Sequence, residues 1–149
     1  MTEPIHLLAG LVIGKVTGNY VAAISGALIM DLDHFVSYYR HGIIFKPKKL
    51  WKATMAEQDR WGDQRNFMHG IFSWVVGSAL LMLINFQFGL VFSIAYFSHI
   101  FLDAIDGADF WPYFPLKKVN MKGPIGYGSR REMMFGLFLL LILVVLFIL

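Results

Sequence analysis

The C-terminal stretch Met133–Leu149 reads MMFGLFLLLILVVLFIL and carries no charged residue. At roughly 1.5 Å per residue it reaches about 25 Å as a helix, close to the hydrocarbon thickness of a bilayer once its flanks are added. A helix that is apolar on every face has no polar side to offer water. The stretch is therefore predicted to cross a membrane. The rest of the chain agrees: of 149 residues, 57% are hydrophobic and 15% charged, with a mean hydropathy of +0.59. That composition excludes an ordinary soluble domain, and the length suits one domain spanning residues 1–149.

Upstream of this span lie three further apolar blocks. Gly89 to Ile105 and Phe67 to Ile84 flank the tight polar turn Asn85-Phe86-Gln87, which predicts a two-helix hairpin. Ile5 to Met30 is apolar but broken by Gly14-Lys15-Val16-Thr17-Gly18-Asn19. Each half, of about a dozen residues, is too short to span alone. A single kinked span and a short helical hairpin both fit. Only the hairpin returns His6 to the side of Asp31. Glu3 stands where a cleavable leader would carry basic residues, so this block is read as structural. The expected fold is an all-α integral membrane bundle: an N-terminal helical hairpin, a two-helix hairpin and a C-terminal transmembrane helix.

The basic residues concentrate in two loops. Arg40, His41, Lys46, Lys48, Lys49, Lys52, Arg60 and Arg65 lie between Tyr38 and Arg65, together with Trp51 and Trp61. Lys117, Lys118, Lys122, Arg130 and Arg131 lie between Asp106 and Arg131. Hairpin topology puts both loops on one side, and an excess of Lys and Arg marks that side as cytoplasmic. The net charge of +3 is thereby read as orientation and contact with anionic headgroups, not as a nucleic-acid footprint.

Ionisable residues gather where the apolar helices are expected to end. His99 and Asp103 are spaced i, i+4 and share one helical face. Asp31-Leu32-Asp33-His34 closes the second half of the N-terminal block, and His69 opens the next helix. Carboxylates at a helix C-terminus oppose the helix dipole, so a compensating positive charge is expected. Up-and-down helices with short turns bring His6, Asp31, His69, His99 and Asp103 to one face. Since the chain has no cysteine, a metal there would depend on imidazole and carboxylate, suiting zinc, manganese or iron(II), as one or two ions. Taken singly, the His99–Asp103 pair, His69 and His6 read more readily as hydrogen-bonded structural residues, and it is their convergence that points to a metal. Arg65 is a candidate oxyanion clamp, and whichever of Asp33 and Asp31 is not a ligand is a candidate general base. His34 and Asp106 are candidates for steadying the ligands. The run Phe110-Trp111-Pro112-Tyr113-Phe114-Pro115 reads as an interfacial anchor.

As a set, these residues resemble the YdjM-like family of membrane-bound metal-dependent hydrolases. The resemblance rests on the N-terminal histidine, DLDH at Asp31–His34, R-x-x-x-H at Arg65–His69, SHIFLD at Ser98–Asp103, and the stretch Gly107–Pro115. It covers most of the chain. That family is distantly similar to all-helical zinc phospholipases C. The similarity implies one zinc on Asp31 or Asp33, His69, His99 and Asp103, and a second zinc on His6. Where family members commonly carry Thr and Ser around the third-helix histidine, this chain has Met68 and Gly70.

The expected activity is hydrolysis of an ester or phosphoester, lipid-borne or not, with membrane lipids as the surroundings. Two other classes compete. An ion or solute transporter would need polar residues at mid-helix depth, whereas Ile71–Ile84 and Gly89–Phe97 interrupt their apolar runs only with Ser and Gly. A non-catalytic adaptor with a metal-stabilised fold would close the metal off from water.

Overall fold

The computed structural model describes residues 1–56, 61, 65, 67–115 and 119–149. Arg60, Lys117 and Lys118 of the basic loops lie outside the described residues. Those described form seven α-helices and one short 3-10 turn. The helices are α1 (Glu3–Thr17), α2 (Tyr20–Leu28), α3 (Leu32–Arg40), α4 (Pro47–Thr54), α5 (Ile71–Ile84), α6 (Phe86–Ala104) and α7 (Arg130–Ile148), with the 3-10 turn Ile29–Asp31 between α2 and α3. The protein is an all-helical membrane bundle. Tyr20–Arg40, Phe86–Ala104 and Arg130–Ile148 are each long and apolar enough to cross a bilayer. At 14 residues, or about 21 Å, α5 is shorter than a spanning helix.

The N-terminal block is a helical hairpin. Gly18 ends α1 in the left-handed region (φ 72°), where a side chain would be strained, and Asn19 caps α2 by accepting from the Ala22 N–H at 3.1 Å. The two arms pack against each other, α1 also touches α6 and α7, and α2 lies along α6. One face of α2 consists of Ala22, Ala23, Gly26 and Ala27, all buried. These small residues let the backbones of α2 and α6 come close: a Cβ at Gly26 would run into the Phe92 carbonyl. Around that contact Met30, Phe92, Tyr96, Ile100 and Phe110 form the main core.

Two boundaries differ from the sequence expectation. DLDH does not close a half-helix. The chain passes through the 3-10 turn directly into α3, so Tyr20–Arg40 is one helical stretch of 21 residues. Asp31 and Asp33 consequently stand at the junction into α3 inside a continuing helical stretch, not at a helix C-terminus that would oppose their charge. The apolar periodicity of α2 continues into Phe35 and Val36, which hid this junction. The third apolar helix begins at Ile71, not Phe67, so His69 precedes it in a turn. That turn is held by the Ile71 N–H donating to the Pro112 carbonyl at 2.8 Å.

Most of α7 is exposed along its length, as expected of a helix facing lipid; its buried residues are Glu132, Gly136 and Leu143. Its first turn is anchored at the site end of the bundle. Ser129 accepts from the Glu132 N–H, and the Glu132 carboxylate accepts from the backbone N–H groups of Thr2 and Gly128.

Candidate metal centre

Elements distant in sequence deliver the candidate ligands to one point. His6 comes from the first turn of α1, Asp31 from the 3-10 turn, His69 from the turn before α5, and His99 and Asp103 from the last turns of α6. His6, His69, His99 and Asp103 are each no more than 1% exposed. The His99 Nε2 lies 3.6 Å from Asp103 Oδ2 and 3.9 Å from Asp31 Oδ1. The His69 Nε2 lies 3.8 Å from the same Asp103 oxygen, and the His6 Nε2 is 3.3 Å from Asp103 Oδ1. The rings of His6 and His99 stack with centroids 3.5 Å apart.

Two imidazoles are oriented from behind. The His99 Nδ1 faces the Ala27 carbonyl at 2.6 Å, and the His69 Nδ1 faces Asp33 Oδ2 at 3.3 Å. A proton on each Nδ1 satisfies these contacts and leaves both Nε2 lone pairs pointing inward. Burial is the main influence on His69 and lowers its pKa, partly offset by the hydrogen bond to Asp33. The ring is thus held in the neutral form a metal requires.

This donor set fits a divalent cation. Among the described residues, His69 Nε2, His99 Nε2, Asp103 Oδ2, Asp31 Oδ2 and His6 Nδ1 are buried without a hydrogen-bond partner. Leaving such atoms unsatisfied costs about 1–3 kcal/mol each. Ligand bonds of about 2.0–2.1 Å in a tetrahedron place donors roughly 3.3 Å apart, close to the spacings seen here. Two overlapping triads bring one donor atom from each member within 4.8 Å of the others: His6, His99 and Asp103; and Asp31, His69 and His99. Charge points the same way. Four carboxyl groups, those of Asp31, Asp33, Asp103 and Asp106, gather here beside the Arg65 guanidinium, a surplus of acid that a divalent cation would offset.

The remaining candidates take places the sequence did not assign. Asp33 is turned towards the back of His69 and accepts the Met68 N–H at 2.7 Å, so its position is that of a support, not of a base in front of the ligands. Asp106 steadies no imidazole among the described residues; its Oδ2 accepts from Arg65 Nη2 at 3.0 Å and from the Met1 amino group at 2.8 Å. Arg65 does not precede His69 on a helix. It is nevertheless beside the site, with Nε 3.6 Å from Asp103 Oδ2. Burial works to lower the Arg65 pKa, but Asp103 and Asp106 outweigh it and raise the value. His34 lies beside Asp31, with Nε2 3.7 Å from Oδ1, and its ring meets His69 edge-on. Asp109 belongs to an exposed turn, paired with Lys122 and Asn120.

Asp31, His34 and Arg65 line a cavity of about 50 Å³, closed in part by Tyr127 and the end of α4. A space of that size admits a few waters. Tyr127 holds α4 by donating to the Thr54 carbonyl at 2.8 Å.

Several contributors were invisible in sequence. The Ala27 carbonyl is a backbone group without a residue signature. The Met1 amino group, 2.7 Å from Asp103 Oδ1, carries none either. Glu132 did have one: Ser129-x-x-Glu132 is a helix-start spacing.

Comparison with known proteins gives a family and nothing narrower. No curated protein and no solved structure matches the chain. A family model described as YdjM inner membrane protein matches residues 1–149, the whole length. The chain therefore belongs to the YdjM inner membrane protein family.

Proposed function

We propose that this protein is a membrane-bound, metal-dependent hydrolase of esters or phosphoesters. The observation that carries the reading is the convergence of His69 Nε2, His99 Nε2 and Asp103 Oδ2, all buried and without hydrogen-bond partners among the described residues. Asp31, His69, His99 and Asp103 would hold one ion, with His6, which groups with His99 and Asp103, placed for a second or for a fifth contact. Zinc suits the donor set and spacing best, with manganese and iron as alternatives. Such an ion supplies Lewis acidity, which makes water a nucleophile near neutral pH.

The chain's own groups provide the rest. Arg65 lines the cavity, and its Nη1 has no hydrogen-bond partner among the described residues, so it is placed to grip the oxygen on which charge develops. Asp103 and Asp106 hold that guanidinium in position. His34, beside the ligand Asp31, also lines the cavity and would accept the proton that water releases. The water oxygen bonds to phosphorus or to the acyl carbon, the bond to the leaving oxygen breaks, and the accepted proton passes to that oxygen. Asp33 positions His69 and takes no part in proton transfer. The cavity beside Asp31 favours this reading over a closed, purely structural metal.

The basic loops orient the site towards the cytoplasm of the inner membrane. The reading is tested by metal analysis of the purified protein, followed by a screen of phosphoester and lipid-ester substrates beside His99→Ala. Stoichiometric metal with turnover lost in His99→Ala is the expected result; metal-free protein with no turnover overturns it.

A further inference from the structure

An apolar groove of about 400 Å³ runs along α5, floored by Phe92 and Tyr96 of α6 and walled by Phe72, Val76 and Leu80. The volume falls in the range of roughly 300–1,000 Å³ usual for ligand sites. Its floor is buried, whereas Phe72 and Leu80 are more than half exposed. The hollow exists because Ser73 and Gly77 occupy the middle of that helix face. In a chain of an inner membrane family, such an exposed apolar face looks into acyl chains.

Part of the groove is lined by sequence neighbours of the metal-centre residues. Ile29 lines the groove, while Asp31, on the same 3-10 turn, lines the polar cavity. Met68 lines the groove too, and its neighbour His69 supplies an inward Nε2. Between them runs a short relay. The Tyr96 hydroxyl donates to the Met68 carbonyl at 2.6 Å, and the Met68 N–H donates to Asp33, which faces His69. One wall therefore has an apolar hollow on one side and, on the other, a polar cavity lined by Asp31, His34 and Arg65. A water-soluble phosphoester would use only the second. An amphipathic lipid uses both.

We infer that the groove is an acyl-chain site, and that the substrate of the hydrolytic centre is a membrane lipid lying with one chain along α5 and its head group at Arg65. The catalytic half of this inference rests on the hydrolase reading above; the binding half stands on the groove alone. Occupation by a helix of a second copy is the competing possibility, since Ser73 and Gly77 are also suited to helix packing. The lipid is favoured because the groove lies beside the centre, and a helix docked there would cover Phe67 and Met68 beside His69.

Gly77 makes the test clean, because a Cβ built there meets nothing within 4 Å. Gly77→Phe and Gly77→Leu would fill the hollow from a position with open space for the Cβ, resting on Phe92 and Tyr96 where an acyl chain would lie, and helix propensity favours both over glycine. The full chain is reconstituted in phosphatidylethanolamine–phosphatidylglycerol vesicles doped with a phosphatidylglycerol that carries a diazirine on one acyl chain, and photolabelled sites are mapped. In the wild type, label concentrates on Phe72, Val76 and Phe92 over the lipid-facing Leu137 and Leu141 of α7. Both Gly77 variants lower the groove label about tenfold, the scale of losing a few buried methylenes. Leu141→Phe leaves it unchanged. Equal labelling of α5 and α7 in the wild type, or Gly77 variants that label like wild type, overturns the site. So does a wild-type dimer crosslinked through α5. His99→Ala keeps the groove label while losing turnover; a labelled groove in a protein without metal or turnover would sink the hydrolase reading and leave the lipid site standing.

Discussion

His99 on α6 faces the Ala27 carbonyl of α2 through its Nδ1, at 2.6 Å. That carbonyl lies in the last turn of α2, just before the 3-10 turn. One hydrogen bond therefore ties α2 to α6 and aims the opposite ring nitrogen at Asp103. Structure and site share this contact, and small residues make it possible: Ala23, Ala27 and Ala95 pack together beside it.

Asp103 and Asp109 separate a ligand from an ordinary acid. Asp103→Asn should empty the centre, because Oδ2 is the oxygen shared by His69 and His99. Asp109→Asn should leave occupancy intact, since Asp109 only pairs with Lys122 and Asn120 on the surface. Metal content per chain, measured after identical purification, decides it. Equal occupancy in the two variants contradicts the assignment.

Asp33 distinguishes support from proton transfer. Loss of such a partner behind a ligand imidazole weakens metal binding by roughly 10–100-fold. Asp33→Asn is expected to show that loss in a chelator competition, with turnover restored at saturating metal. A variant that binds metal normally but stays inactive would return Asp33 to the role of general base.

Arg65 carries two effects that its variants can divide. Arg65→Ala removes the partner of Asp103 and Asp106, and breaking a buried pair of this kind costs about 3–5 kcal/mol of stability. Arg65→Lys keeps a charge but loses the planar fork, so folding should survive while turnover falls. Removing a donor of this sort typically costs about 2.7–4 kcal/mol of transition-state stabilisation, softened here by the retained charge. Thermal unfolding and initial rates are measured side by side. Wild-type rates in Arg65→Lys would reduce Arg65 to a structural and headgroup role.

Gly26 tests the helix contact on which the centre hangs. Gly26→Val puts a branched side chain against the Phe92 carbonyl and Ala95, and overpacking of that kind costs about 1–3 kcal/mol. Because α2 carries Ala27 and leads into Asp31, metal affinity should fall with stability. A destabilised protein with unchanged metal affinity would show that the centre does not depend on this approach.

Sidedness is open to direct measurement. Glu3 and Arg40 are both exposed, on α1 and at the end of α3. In a chain of this sequence without other cysteines, Glu3→Cys and Arg40→Cys should label from the cytoplasmic side with a membrane-impermeant reagent. Labelling of either from the opposite face would overturn the orientation drawn from the basic loops.

By itself the sequence determined the solvent of this protein and the identity of the converging groups. Uninterrupted apolar runs such as Met133–Leu149 have only one environment open to them, and turn chemistry at Gly18-Asn19 and Asn85 is local, so the hairpins were legible residue by residue. His99 and Asp103 were legible as a pair because a helix sets their spacing. Roles were not. Asp31 and Asp33 are two residues apart with the same chemistry, and only the turn into α3 decides that one lines the cavity and the other backs His69. Among the described residues Arg65 has no local partner; Asp106, far along the chain, fixes where its guanidinium lies. The orientation of His99 hangs on a backbone carbonyl, which no side-chain pattern records. Periodicity and spacing act over a turn or two of helix, whereas a buried polar cluster is set by which helix ends meet, and small residues on α2 and α6 decide that meeting.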